Sequence, residues 1–233
     1  MLPLADELPV RRPPLVTWGL IAANVLVFIY QLLLGPQVEQ FYMNWGAVPG
    51  YISDPLHYPL AFVTLFTATF IHGGWSHLLG NMLYLWIFGD NVEDLLGRVG
   101  FLLFYLAAGA AAGLTQVVAQ LFACWMGDPN SLWIPGVGAS GAIAGVLAVY
   151  LVLFPNAPVR VLVPGFFMMR MARLPALLVL GFWFVIQLFN GVLSLGAMSA
   201  AGSGVAWFAH IGGFALGLVV GAIVRMLYSR RRW

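Results

Sequence analysis

Charge is scarce in this sequence. Only 8% of its 233 residues are Asp, Glu, Lys or Arg, against about 25% in a soluble domain. Lysine is absent, so all ten basic residues are arginine. With 62% hydrophobic residues and a mean hydropathy of +0.93, so little charge excludes a soluble globular fold. Several apolar runs approach the ~20 residues that cross a bilayer, and the length leaves no room for a separate soluble domain beside six of them. Cysteine is nearly absent too. With Cys124 alone, an intrachain disulfide and a Cys-based metal site are both excluded. No signal peptide is expected, because Met1–Pro14 carries Asp6, Glu7, Arg11, Arg12 and four prolines before any apolar run.

What is present predicts an all-α polytopic membrane protein: a six-transmembrane-helix bundle with a short central fourth helix and a membrane-associated first loop. The expected parts are a mobile tail over 1–14, spans at about 15–34, 75–91, 99–122, 139–154, 175–193 and 205–227, and a basic tail over 228–233. Prolines 36, 49, 55 and 59 break the aromatic-rich segment Gly35–Gly74, which suits an interfacial loop with short helices. Another loop, Pro155–Leu174, holds three arginines, and a Gly/Ser/Ala loop runs from Leu195 to Gly204. Six spans place Arg11, Arg12, Arg98, Arg160, Arg170, Arg173, Arg225, Arg230, Arg231 and Arg232 on one side. By the positive-inside rule that side is cytoplasmic and holds both termini.

Spans two, four and six then all run from the outer side inward. They carry the polar residues singled out here: His77 and Asn81, Ser140, and His210. Each lies a few residues past the outer start of its span, so all four share one depth. Polar groups in a membrane are costly and mark function. Small residues face one another as well. Gly213, Gly217 and Gly221 repeat at i+4 behind His210, and Gly141 and Gly145 follow Ser140, which lets two helices approach closely.

This set suits acyl transfer. A serine hydroxyl is a weak nucleophile until a base takes its proton, and histidine is the usual base. No carboxylate shares the depth of His210, so the pair is a dyad. The Ser140 N–H at a helix start, with His77 and Asn81, can serve a tetrahedral oxyanion. Other chemistries fail on spacing. His72 and His77 are five apart, not the four of a zinc His-Glu-x-x-His. Asp90 and Asp128 fall on opposite sides and cannot pair. No strand precedes Ser140 to build a soluble-hydrolase elbow, and no internal repeat suggests a transporter.

The motifs His72-Gly-Gly-Trp-Ser-His77-Leu-Leu-Gly-Asn81, Gly138-Ala-Ser140-Gly141 and Ala209-His210-Ile-Gly-Gly213-Phe-Ala-Leu-Gly217, with Glu93 and Gly97, resemble those of the rhomboid intramembrane serine proteases. The resemblance runs from the first span to the sixth, in the bare six-span form. It implies Ser140 as nucleophile, His210 as general base, and an oxyanion hole of Asn81, His77 and the Ser140 N–H, with Gly138 leaving room beside the serine. It also implies that substrates are transmembrane segments of other proteins in the lipid bilayer, with no metal, cofactor or nucleic acid. Two departures stand out. Val63-Thr64 replaces a Trp-Arg pair that anchors the first loop in many members. Ala144 replaces an aromatic that stacks on the base in some, so the orientation of His210 must come from elsewhere. The alternative is a weak or inactive rhomboid-like protein that binds transmembrane clients. The bare form and the lack of a targeting sequence suggest a prokaryotic cell membrane. The fourth span, about 16 residues and ~24 Å long, falls short of the ~30 Å core, which sets Ser140 below the outer surface.

Overall fold

The structure, a computed structural model, describes residues 2–164, 168–196 and 206–229. Among these residues the chain begins with strand β1 (Leu2–Asp6) and helix α1 (Leu15–Leu33). The segment after α1 folds into the short helices α2 (Val38–Trp45), α3 (Pro49–Ile52) and α4 (Thr64–Thr67), with 3-10 turns at Gly35–Gln37, Ala61–Val63 and Ala68–Phe70. Helices α5 (Trp75–Leu96), α6 (Arg98–Trp125) and α7 (Ser140–Leu153) follow, then strands β2 (Pro158–Pro164) and β3 (Met169–Pro175), and finally α8 (Ala176–Gly196) and α9 (Trp207–Ser229). The protein is an all-α polytopic membrane protein with a small sheet added at one face.

Four helices have the length and apolarity to cross a bilayer unaided: Leu15–Leu33, Arg98–Trp125, Ala176–Leu193 and Trp207–Leu227. The other two long helices fall outside that group, although α5 also exposes Trp75, Leu79 and Trp86. Polar residues interrupt α5 at both ends, His77 and Asn81 at one and Asp90 to Asp94 at the other. α7 has 14 residues, a rise of about 21 Å. Every residue of α7 from Gly141 to Tyr150 is buried, the mark of a helix enclosed by others. The outer helices are inverted relative to a soluble protein. They turn Leu26, Leu33, Leu103, Val118, Val185, Phe189 and Val219 outward, where lipid replaces water.

The α7–α9 contact is made by backbone. A Cβ built on Gly213 meets the Gly141 carbonyl oxygen, and one on Gly217 meets the Gly145 carbonyl oxygen and lies 2.7 Å from Ala148 Cβ. Small residues at these positions are required for the two helices to touch. The far end of α5 caps α1. The buried Glu93 carboxylate accepts from the Val16 N–H (3.0 Å), the Thr17 N–H (2.7 Å) and the Thr17 hydroxyl (2.8 Å). These are N–H groups that the first turn of a helix leaves unpaired, at the positive end of its dipole.

Two expectations are corrected. Residues 2–6 are not part of a mobile tail, and the arginine-bearing 155–174 segment is not an irregular loop. β2 and β3 form an antiparallel hairpin, and β1 adds to it in the order β1-β2-β3, with Leu2 opposite Leu162 and Asp6 opposite Val159. The sheet is fixed to the bundle by Asp6, which accepts from Tyr150 Oη of α7 (2.7 Å) and Asn91 Nδ2 of α5 (2.8 Å). Glu7 pairs with Arg173 at 3.0 Å. The expected Gly/Ser/Ala loop begins later, since α8 continues to Gly196. Its residues from 197 on, residue 205 of the expected sixth span, and Arg230, Arg231 and Arg232 of the expected basic tail lie outside the described residues.

Candidate active site

Ser140 opens α7 at the end of the bundle opposite the arginines. The turn into it depends on Gly138, whose φ of +125 lies in the left-handed region that side chains disfavour. The Gly138 N–H donates to the Ala68 carbonyl at 2.9 Å, which ties the approach to Ser140 to the segment between α1 and α5. That segment is itself tied down without the missing Trp-Arg pair. Thr67 Oγ1 donates to the Trp45 carbonyl at 2.7 Å, and Ala47 and Gly136 exchange backbone bonds of 2.9 and 2.8 Å. The large apolar side chains Leu56, Leu60, Phe62, Val63 and Phe66 are exposed along it.

His210 sits in the first turns of α9 and is 7% exposed. Its Nε2 lies 2.7 Å from Ser140 Oγ. Its Nδ1 lies 2.7 Å from Oε1 of Gln187, a buried residue of α8. The Trp183 ring is tilted 39° at 5.7 Å and the Trp207 ring stands edge-on at 6.1 Å. These two tryptophans flank the imidazole in place of an aromatic at position 144, where Ala144 is fully buried and packs with Ala148 and Phe214. The start of α9 is held to α6 by Gln116, whose Oε1 accepts the Ala209 N–H at 3.3 Å.

His77 flanks the same turn. A Cβ built on Gly138 would lie 2.7 Å from His77 Nε2 and 3.7 Å from Ser140 Oγ, so the absent side chain leaves a gap between the two. Asn81 is arranged differently from the expectation of a donor facing the serine alone. Its Nδ2 lies 3.0 Å from Nε2 of His72, a fully buried histidine whose ring is 5.0 Å from that of His77. An amide nitrogen has two hydrogens, so one remains for other use. His72 is fixed in turn by Gln31 of α1, whose Nε2 donates to the His72 carbonyl (2.7 Å) and whose Oε1 accepts its N–H (3.1 Å). A cavity of about 40 Å³ adjoins Ser140, lined among others by Thr69, Gly109, Gln116, Gly138 and Ala209. That is room for about one water.

The polar residues selected from the sequence therefore gather at one place, from α5, α7 and α9. Sequence reasoning gave no role to Gln187, Gln31, Gln116 or His72. The signal available for the glutamines was the one used for the others, an amide inside an apolar run.

Residues 59–227 match the rhomboid domain family model, and the chain belongs to the rhomboid family. Rhomboid protein 1, mitochondrial, of Saccharomyces cerevisiae is 28% identical over 232 residues, covering 95% of this chain and 56% of that protein. Presenilin-associated rhomboid-like protein, mitochondrial, of Homo sapiens is 28% identical over 205 residues, covering 86% and 46%. Rhomboid-like protein 11, chloroplastic, of Arabidopsis thaliana is 34% identical over 128 residues, covering 54% and 41%. The chain spans about half the length of these relatives. Their names overturn the expectation of a prokaryotic cell membrane, since the two that cover most of this chain are mitochondrial. The physical reason is that apolar spans with arginines on one face suit any bilayer. The organelle is set by address segments that receptors read, not by the spans. Sidedness is therefore stated relative to the arginine-bearing face, not the cytoplasm.

Proposed function

We propose that this protein is an intramembrane serine endopeptidase that hydrolyses peptide bonds in or next to transmembrane segments of other membrane proteins. The observation that carries the reading is the 2.7 Å contact between His210 Nε2 and Ser140 Oγ, inside a site that holds no carboxylate partner for the histidine among the described residues. Ser140 attacks the scissile carbonyl while His210 takes its proton. The tetrahedral oxyanion is met by the Ser140 N–H at the start of α7, by His77, and by the second hydrogen of Asn81. His210 then returns the proton to the leaving amine, and water attacks the acyl-enzyme with His210 again as base. The small cavity beside Ser140 is a place for that water. A substrate helix must unwind to present its carbonyls, and Gly, Ala or Ser near the cut fits the glycine-lined site. The names of the mitochondrial relatives support a mitochondrial membrane as its location.

The test is cleavage of a single-span substrate by detergent-solubilised protein. Wild type cuts, and Ser140→Ala and His210→Ala do not. A fluorophosphonate labels Ser140 in wild type and fails to label it in His210→Ala. A client-binding protein without chemistry gives the same null cleavage result for all three, and cleavage by Ser140→Ala refutes the mechanism.

A further inference from the structure

A base works only if the nitrogen facing its proton donor is bare. Neutral imidazole carries one hydrogen, so Nε2 of His210 can accept from Ser140 only when Nδ1 holds that hydrogen. Nothing on α7 or α9 is bonded to Nδ1. Its partner is Gln187 Oε1 on α8, 2.7 Å away. A glutamine could present either end of its amide. Here the Nε2 end is committed, because it donates to the Trp183 carbonyl one turn earlier at 3.3 Å. The oxygen therefore faces the histidine, and an oxygen there demands a hydrogen on Nδ1. Gln187 is 6% exposed and His210 7%, so water does not compete for the bond.

We infer that Gln187 is the positioning residue of the reaction centre. It holds His210 in the Nδ1–H tautomer and aims Nε2 at Ser140, completing a hydrogen-bonded Ser140–His210–Gln187 series in which Gln187 stands where no carboxylate does among the described residues. The inference rests on the proposed dyad chemistry. A neutral amide suits the location. Its carbonyl dipole fixes the ring and favours the imidazolium that forms transiently, and it avoids the cost of burying a carboxylate. It also supplies the orientation that Ala144 cannot. A further helix thereby joins the site: α7 brings Ser140, α9 brings His210, and α8 decides which nitrogen of the base is bare.

The test compares Gln187→Met, close in shape but without an acceptor, with Gln187→Glu, which keeps one. Gln187→Met lowers kcat by about 10- to 100-fold, the range seen when the partner that orients a metal-ligating histidine is lost. KM and the melting temperature stay near wild type. Gln187→Glu retains kcat within about 5-fold. Fluorophosphonate labelling of Ser140 slows in parallel with kcat. Wild-type kcat in Gln187→Met overturns the inference. So does an equal fall in both variants, or a fall that tracks melting temperature, since each means packing rather than orientation. A wild-type protein that neither cleaves nor labels at Ser140 refutes the dyad itself. Labelled, active wild type with an indifferent Gln187→Met refutes Gln187 alone.

Discussion

The backbone contact between α7 and α9 makes a sharp prediction at Gly217. A methyl group there would overlap the Gly145 carbonyl oxygen and stand 2.7 Å from Ala148 Cβ and 2.8 Å from Gly145 Cα. Non-bonded carbons settle at about 3.5–4.0 Å, so α9 must retreat from α7 by about 1 Å. No side chain at the contact can move aside in its place, because what the methyl meets is backbone and an alanine. His210 is seven residues away on the same helix, about 10 Å along its axis at 1.5 Å per residue. Its bond to Ser140 is 2.7 Å, and a retreat of that size stretches it to about 3.7 Å, beyond the reach of a hydrogen bond. Gly217→Ala should therefore cost about 1–3 kcal/mol of stability as overpacking. It should also remove most of the general-base contribution, about 10²- to 10⁴-fold in rate. Melting temperature and kcat measured on one detergent preparation read both effects. Gly181→Ala on α8 is the control. A Cβ there meets nothing within 4 Å, and the change should gain about 0.5–1 kcal/mol without touching kcat. Wild-type stability and rate in Gly217→Ala would show that the helices do not touch through their backbones, and the mechanical account of the site would fall with it.

Two other outcomes follow from the arginine-bearing face. Glu93→Ala should lower the melting temperature markedly, because the buried Thr17 N–H loses its acceptor at about 1–3 kcal/mol and the half-buried Val16 N–H loses its own at a smaller cost. Glu93→Gln should fall between, and a thermal scan separates the three. Burial raises the pKa of the Asp6 carboxyl above the usual value, against the lowering effect of its bond from Tyr150. The docked strand β1 thus holds a proton that the undocked strand releases. Docking is strongest below the ordinary Asp value of ~3.9, weakens as pH rises through the raised value, and then levels off. Hydrogen-exchange protection over residues 2–6, corrected for intrinsic rates, should fall along that course, and more flatly in Asp6→Asn. Protection that climbs with pH would refute the assignment.

How much of this was legible in the sequence depended on the reach of each interaction. Ser140, His210, His77 and Asn81 could be grouped because three parallel spans enter from one face, so counting residues from each start gave depth. Gln187 escaped because it lies twelve residues into α8, a span that runs the other way, and its depth is read from the far end. The partner of Asn81 was hidden for another reason. His72 sits just ahead of α5 in a segment whose path is set by Gln31 of α1, 41 residues earlier, and no helical period relates them. The sheet was half visible. Val159, Val161 and Val163 alternate with period two, as a strand should, but their partner β1 is more than 150 residues away, in a stretch whose prolines and charges read as a loose tail. The glycine rows on α7 and α9 were the most transparent feature, since close backbone approach leaves a direct mark in composition.

Because other elements enclose α7 along most of its length, the bilayer has no direct hold on the element that carries Ser140. A thicker or thinner membrane is met first by the lipid-facing faces of α1, α5, α6, α8 and α9, which can tilt to match it at a fraction of a kcal/mol per Å of mismatch. The depth of Ser140 is fixed against protein rather than against lipid. Acyl-chain length reaches the Ser140–His210 pair through the lipid-facing elements, and of these α8 is the one whose Gln187 meets Nδ1. Lipid composition should therefore shift the aim of His210 before it alters the position of Ser140.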